Sequence, residues 1–189
     1  EFCEKYDYEA GKSHQWDALA QPAGFGFNWS SNYPVYLETL EQFDFIDGSS
    51  GLVDRDMYDD NTPIDPNWYF GMRDPRMKAS IFYPGSSFKN GTVFFHRSMT
   101  GNLEGWPGSG LSKLTGSMAT GLLIRKRTNP DTPDATRSST DYIIFRLGEI
   151  LLNYVEAAYY LGDPNGDMVS VMNQIRDRAG MPSLSLGEI

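Results

Sequence analysis

Four tryptophans are the residues of this chain whose chemistry points most directly to a ligand. All of them lie in segments predicted to be loops or loop edges: Trp16, Trp29, Trp68 and Trp106. Loops carry much of the binding function of folded proteins. A flat indole ring can stack on the apolar C–H face of a sugar while neighbouring polar groups bond the hydroxyls. The alternative for each tryptophan is a structural role, in which the ring covers the core beneath a long loop.

Sequence motifs for catalysis and metal binding are absent. His14 and His96 lie far apart and belong to no H-E-x-x-H motif or Cys/His cluster, and neither a G-x-S-x-G elbow nor a phosphate-binding G-x-x-x-x-G-K loop occurs. One acidic run has carboxylates as in a calcium loop but lacks the glycine and the terminal Glu, so a solvated loop is the preferred interpretation: Asp54, Asp56, Asp59 and Asp60. We therefore expect no catalytic residue, metal or cofactor. A glycan hydrolase that uses two of the 25 acidic residues stays an alternative.

Composition and charge narrow the function classes further. The 189 residues carry a net charge of −9, and the first 65 hold fourteen acidic but only three basic residues. A free-standing nucleic-acid binder would be basic, so that class is excluded, whereas neutral ligands are compatible with this charge. The single cysteine, Cys3, permits no internal disulfide, and no apolar stretch precedes it to indicate a lipid-anchor signal.

The first 138 residues predict a loop-rich body with short elements. Residues 35–45 favour a short amphipathic helix or an extended segment, because apolar and acidic residues alternate at mixed spacing. Strict alternation predicts a half-buried strand over residues 77–83 that ends at Pro84 and Gly85. The remaining segments are a strand-like aromatic stretch at 25–29, a short strand at 93–95, a glycine-rich loop at 101–121, an apolar run at 122–127 and a linker at 128–138.

The carboxyl-terminal part predicts two antiparallel helices. Residues 141–161 are apolar at most positions and end at Gly162, which indicates a helix buried on most sides. Residues 167–179 form a second amphipathic helix that Gly180 ends. The short connection between them makes a helical hairpin, so the predicted fold class is mainly α with short β-strands in a loop-rich region.

Charged residues near these helices favour structural roles over catalysis. Arg146 and Glu149 stand three residues apart on one polar stripe, which Glu156 continues, and we expect a buried Arg146–Glu149 pair whose loss would destabilise the fold. Upstream, Asp74 precedes a proline and favours a turn, and the neighbouring Arg73 is expected to bond carbonyls or acids.

Three ordered segments carry a family resemblance that spans residues 33–180. The first is YPVYLETLEQFDFIDG at 33–48, the second is RDPR at 73–76 with a following Pro84-Gly85, and the third is the hairpin. In the hairpin, Arg146-x2-Glu149 and Glu156-Ala157 precede Leu161-Gly162, and Asn173-x2-Arg176-x-Arg178-Ala179-Gly180 follows. Together these segments resemble the SusD/RagB family, with Val155 in place of a usual small residue.

The resemblance implies a fold, a function and a place in the cell. The fold would be SusD-like, with a tetratricopeptide-like helical hairpin at 139–180, a loop-rich ligand-binding side at 1–138, and the whole chain an internal or C-terminal-side piece of one larger domain. Such proteins are outward-facing outer-membrane lipoproteins of Bacteroidetes that serve polysaccharide utilization. They bind glycans without catalysis and deliver them to a SusC-like TonB-dependent transporter. Membrane association would run only through an amino-terminal lipid anchor that this chain lacks.

The resemblance also ranks the ligand candidates, because the binding surface of the family draws partly on the region before the YPVYLETL-like segment. The stacking candidates are Trp16, Trp29, Tyr33 and Trp106. The alternatives that stay open are a hydrolase, a binder of a non-glycan nutrient such as a peptide, and a structural lid or adhesin without a small ligand.

Overall fold

A computed structural model describes residues 2–7, 10–22, 33–53, 69–93, 121–132, 137–163 and 165–189. Several predictions fall outside these ranges: the stretch at 25–29, the acidic run at 54–60, residues 94–95 of the strand at 93–95, and residues 101–120 of the loop at 101–121. The residues Trp29, Trp68, His96 and Trp106 also lie outside them. No helix in the described ranges combines the length and apolar character that crossing a bilayer requires.

The main core lies between two short helices and a small antiparallel sheet. Helix α1 covers Trp16–Ala20, helix α2 covers Leu37–Leu40 and helix α3 covers Pro75–Ser80. The largest buried apolar cluster joins α2, α3 and the neighbouring strands: Val35, Leu40, Val53, Tyr69, Phe70, Met77, Ile81 and Leu122. Removing these side chains from water supplies the main driving force for holding the segments together.

Three two-stranded antiparallel sheets organise the rest of the described chain. Strand β1 (Phe2–Glu4) pairs with β6 (Tyr142–Phe145), β2 (Ile81–Phe82) pairs with β5 (Leu123–Ile124), and β3 (Ser87–Phe88) forms a hairpin with β4 (Gly91–Thr92). A second buried cluster of Phe82, Phe88, Val93 and Leu123 lies where the last two sheets meet. The β1–β6 pair joins the amino-terminal segment to residues more than 130 positions away.

The strand predicted over 77–83 is mostly wrong, because residues 75–80 form α3 and only Ile81–Phe82 are a strand. The physical reason stands at the start of the segment. The Asp74 side chain accepts a hydrogen bond from the Arg76 backbone amide, and Pro75 occupies the first helical turn, where its fixed φ favours a helix. A good cap thus outweighs the alternating pattern.

The helical hairpin is present, with a later start than predicted. Helix α4 covers Leu147–Tyr160 and packs antiparallel against α5 at Met168–Ala179. The predicted first turn at 142–145 is instead strand β6, because these residues pair with β1. Gly180 ends α5 at a φ of +75°, and the Met181 amide donates to the Arg176 carbonyl beyond it.

Helix α4 is far less buried than its apolar sequence predicts. Val155 and Ala158 are its buried residues and pack with Met168 of α5. Large apolar side chains flank this contact in solvent: Leu147, Ile150, Leu152, Tyr159 and Tyr160. Burial on most sides is therefore wrong for the described chain, because α5 covers only one face of α4.

The polar stripe on α4 is also solvated rather than paired. Glu149, Asn153 and Glu156 are exposed on the side opposite Val155. Arg146 is half-buried and precedes the helix, and within the described ranges it forms no ion pair with Glu149. The expectation of a buried Arg146–Glu149 pair is wrong, so the condition under which removing Arg146 was expected to destabilise the fold is not met.

Candidate functional site

Two of the predicted stacking residues meet although they lie 17 positions apart. The ring centroids of Trp16 and Tyr33 are 5.1 Å apart and their planes differ by 22°, which is a stacked arrangement. Tyr33 stays 38% exposed, whereas Trp16 is half-buried. Trp29 and Trp106 lie outside the described residues, so their place relative to this pair stays a prediction.

An arginine and a second tyrosine extend this pair into a larger surface. The Arg127 guanidinium carbon lies 4.3 Å from the ring centroid of Tyr142 and 5.2 Å from that of Trp16. Tyr142 is 47% exposed. We call the set of Trp16, Tyr33, Arg127 and Tyr142 the aromatic platform. Both tyrosines are partly exposed to solvent, while the half-buried Trp16 contacts Tyr33 and Arg127.

Two members of the aromatic platform are not among the predicted stacking residues. The sequence pattern predicts a long helix around Tyr142 and places Arg127 at the basic end of an apolar run. Tyr142 belongs to β6 instead, and no local pattern reveals that β6 pairs with a strand more than 130 residues earlier. One sequence signal for Tyr142 as a site residue is its position, because it is an aromatic residue at the boundary between the polar residues 139–141 and the apolar residues 143–145.

A carboxylate on α1 and an imidazole two residues before α1 hold the aromatic platform in place. The buried Asp17 carboxylate accepts from the Asn129 backbone amide at 2.6 Å and from the Thr140 hydroxyl at 3.3 Å. His14 Nδ1 accepts from the Trp16 amide at 3.1 Å, so Nε2 carries the proton and donates to the Thr140 carbonyl at 2.7 Å. These hydrogen bonds attach the described parts of the predicted linker at 128–138 to α1. They also fix the chain beside Arg127 and Tyr142, since Asn129 and Thr140 each lie two residues away from one of them.

A polar groove lies beside the β3–β4 hairpin. Its volume is about 490 Å³, and the described residues that line it are Ser87, Phe88, Lys89, Asn90, Arg125, Pro130 and Asp131. We call this the hairpin groove. Lys89 Nζ donates to the buried Gln21 Oε1 at 3.1 Å, and Gln21 directly follows α1. Helix α1 therefore connects the aromatic platform at its start with the hairpin groove at its end.

Burial changes the proton affinities beside the hairpin groove. The pKa of Arg125 lies below the ordinary arginine value, because partial burial takes the guanidinium out of water, and its carbon lies 5.1 Å from the Phe82 ring centroid. Burial likewise raises the pKa of the nearby Tyr83 hydroxyl, against a smaller opposite effect of the Arg125 charge. Both groups keep their ordinary charge at neutral pH, so Arg125 is a cation in a partly dehydrated place.

The buried carboxylates of the described chain have structural partners. Asp17 holds the segments around Asn129 and Thr140, and Asp74 binds the backbone amide and guanidinium of Arg76. Within the described ranges no three His, Cys, Asp or Glu side chains are grouped so that they could hold a metal ion. Asp17 and Asp74 thus serve to hold chain segments together.

Comparison with known proteins gives a consistent picture of the fold. The model of the SusD family matches residues 5–189. A SusD-like protein of Bacteroides fragilis has 24% identity and a TM-score of 0.67, with 97% of this chain and 36% of the other covered. A SusD-like carbohydrate binding protein of the same organism has 21% identity and a TM-score of 0.69, with 97% and 34% covered. No curated protein matches the chain.

Proposed function

Since the chain belongs to the SusD family, we propose that it takes part in binding a glycan at the bacterial cell surface and in delivering it to a SusC-like TonB-dependent transporter. The family membership and the SusD-like, mainly α fold agree with the resemblance found in the sequence. The chain spans about a third of the length of the similar structures, so this function is proposed for the whole protein to which such a segment contributes.

The observation that carries the glycan proposal is the aromatic platform. Tyr33 and Tyr142 expose ring surface around an arginine, which suits the alternating apolar faces and hydroxyls of a saccharide. The similar structure from Bacteroides fragilis that is described as carbohydrate binding supports the same ligand class. Trp16 then acts as the support of the exposed rings, and Trp29 and Trp106 stay proposed contacts.

Substitution of the exposed ring tests the glycan proposal. We expect Tyr142→Ala to weaken binding of the cognate oligosaccharide roughly two- to twelvefold, because one aromatic stacking contact contributes about 0.5–1.5 kcal/mol. Isothermal titration against a panel of neutral and acidic oligosaccharides measures this. Tyr36→Ala is the matched control, because Tyr36 is 76% exposed and lies outside the aromatic platform. If Tyr142→Ala and the parent bind the oligosaccharide with equal affinity, and the control is also unchanged, the aromatic platform is not the glycan-binding surface.

The proposed function includes no catalysis, an outward-facing outer-membrane location and a lipid anchor. Incubation with the same oligosaccharides should yield no new reducing ends, whereas a steady increase would favour the glycan hydrolase alternative. Binding of peptides in place of all saccharides would favour the non-glycan nutrient. Co-purification of the full-length protein with a SusC-like transporter from outer membranes is the corresponding test of the partner.

A further inference from the structure

The hairpin groove has a charge character unlike that of the whole chain. Among the described lining residues are two cations, Lys89 and Arg125, and one carboxylate, Asp131, while the chain carries a net charge of −9. Within the described ranges, Asp131 forms no ion pair with either cation. The groove is therefore a locally positive place on an acidic protein, which attracts a ligand with a negative charge.

The Arg125 guanidinium has N–H donors that no described residue uses. Its guanidinium is half-buried and lies over the Phe82 ring, but no side chain or carbonyl in the described ranges accepts a hydrogen bond from it. The Arg125 backbone is fixed, because its amide donates to the Ser80 carbonyl at 2.8 Å. A guanidinium that has lost part of its hydration binds a carboxylate well, because two parallel N–H donors match the two carboxylate oxygens.

Lys89 supplies a second cation whose position is also fixed. Its ammonium donates to Gln21 Oε1, and Gln21 is only 1% exposed and cannot move without disturbing the core. Because the side chain is already ordered, a ligand that meets it loses little additional rotamer entropy of the protein. The groove thus presents two ordered cations rather than two mobile surface side chains.

The remaining lining residues favour a sugar with one carboxylate over a multiply charged anion. Ser87 and Asn90 offer donors and acceptors that suit hydroxyl groups, and Asp131 can accept from a hydroxyl but repels additional negative charge. The volume of about 490 Å³ falls in the range of small-molecule sites. We infer that the hairpin groove binds the uronic-acid unit of an acidic glycan, with Arg125 and Lys89 facing its carboxylate. This inference rests on the proposed glycan binding and names the class of glycan.

The test compares acidic oligosaccharides with their own neutral forms. Isothermal titration uses uronic-acid oligosaccharides of the pectin, alginate and glycosaminoglycan types, each beside the same oligosaccharide after reduction of its carboxyl groups. We expect at least one acidic member to bind tenfold or more tightly than its reduced form, and this preference to decrease as salt is raised. Arg125→Gln should abolish the preference, and Arg125→Lys should keep part of it.

Lys126→Gln is the matched control, because Lys126 is the exposed neighbour of Arg125 and does not line the groove. It removes the same charge and should keep the preference, and thermal melting shows which variants are folded. If no acidic member is preferred, or if Lys126→Gln acts as strongly as Arg125→Gln, the groove inference is overturned while binding of neutral glycans sustains the proposed function. If no saccharide binds at all, both the groove inference and the proposed function fail.

Discussion

At the scale of single residues, Arg73 shows how a charge is accommodated inside this protein. The side chain is fully buried, and its Nη1 donates to the carbonyls of Phe43 at 2.9 Å and Gly51 at 2.7 Å, while Nε donates to that of Tyr69 at 3.2 Å. Burial lowers its pKa from the ordinary arginine value without removing its charge at neutral pH. Three chain segments thus meet at one guanidinium.

Arg73→Ala should therefore be strongly destabilising. The substitution leaves three carbonyls without their donor in a place closed to water, and we expect a loss of about 3 kcal/mol or more in the free energy of unfolding. Urea unfolding followed by tryptophan fluorescence measures it. Lys78→Ala is the control, because Lys78 is an exposed residue of α3, and the change in its free energy of unfolding should stay within about 0.5 kcal/mol. A loss for Arg73→Ala no larger than that of the control would contradict this account.

The residue scale also shows what a sequence can predict. That Arg73 bonds carbonyls follows from a short motif, because Asp-Pro sets the local chain direction, and the structure confirms it. The contact of Arg127 with both Tyr142 and Trp16 is not predictable from the sequence, because Tyr142 lies on β6, which pairs with β1 from the other end of the chain. Local sequence patterns predict contacts between residues that are near each other in the sequence. The candidate site is assembled from distant segments, so these patterns do not predict it.

At the scale of elements, the ends of the two hairpin helices differ in what they require of glycine. Gly180 follows α5 at a φ of +75°, a conformation that other residues adopt at a cost, whereas Gly148 lies in the first turn of α4 with ordinary helical geometry. An added Cβ at Gly148 would meet no atom within 4 Å. The two glycines therefore form a matched pair for substitution.

We expect opposite effects from the same substitution at these two positions. Gly180→Ala should lower the free energy of unfolding by about 1 kcal/mol, because alanine disfavours the left-handed conformation. Gly148→Ala should raise it by about 0.5 kcal/mol, because alanine has the better helix propensity and restricts the unfolded chain. Midpoints of urea unfolding compare the two. The interpretation of these helix ends is wrong if Gly148→Ala is the more destabilising of the pair.

Element predictions failed where a competing interaction was stronger than the pattern. Alternation at 77–83 predicted a strand, but the Asp74 cap and Pro75 start a helix there. The hairpin was predicted well, because the Gly180 stop and the 3.6-residue periodicity of α5 act locally. The burial of the hairpin was not predicted correctly, because the sequence of α4 indicates which residues are apolar but not how much of the surrounding protein covers them.

At the scale of the whole molecule, α4 leaves a broad apolar surface that the described chain does not cover. Leu147 is 66% exposed and Ile150 is 51% exposed on one flank of its contact with α5, and Leu152 and Tyr159 are exposed on the other. The similar SusD-like structures are almost three times as long as this chain. An exposed apolar surface of this kind promotes association with whatever apolar surface is available.

The 189-residue chain on its own should therefore bind an apolar dye and self-associate through α4. We expect the double variant Leu147→Gln, Ile150→Gln to lower the fluorescence of bound 8-anilinonaphthalene-1-sulfonate and to reduce light scattering at high protein concentration, because two exposed apolar side chains are replaced without disturbing the buried Val155 and Ala158. Glu149→Gln is the control, since it changes an exposed residue between them and removes no apolar area. If the dye signal and the scattering of the double variant equal those of the control, the apolar surface that drives association lies elsewhere in the chain.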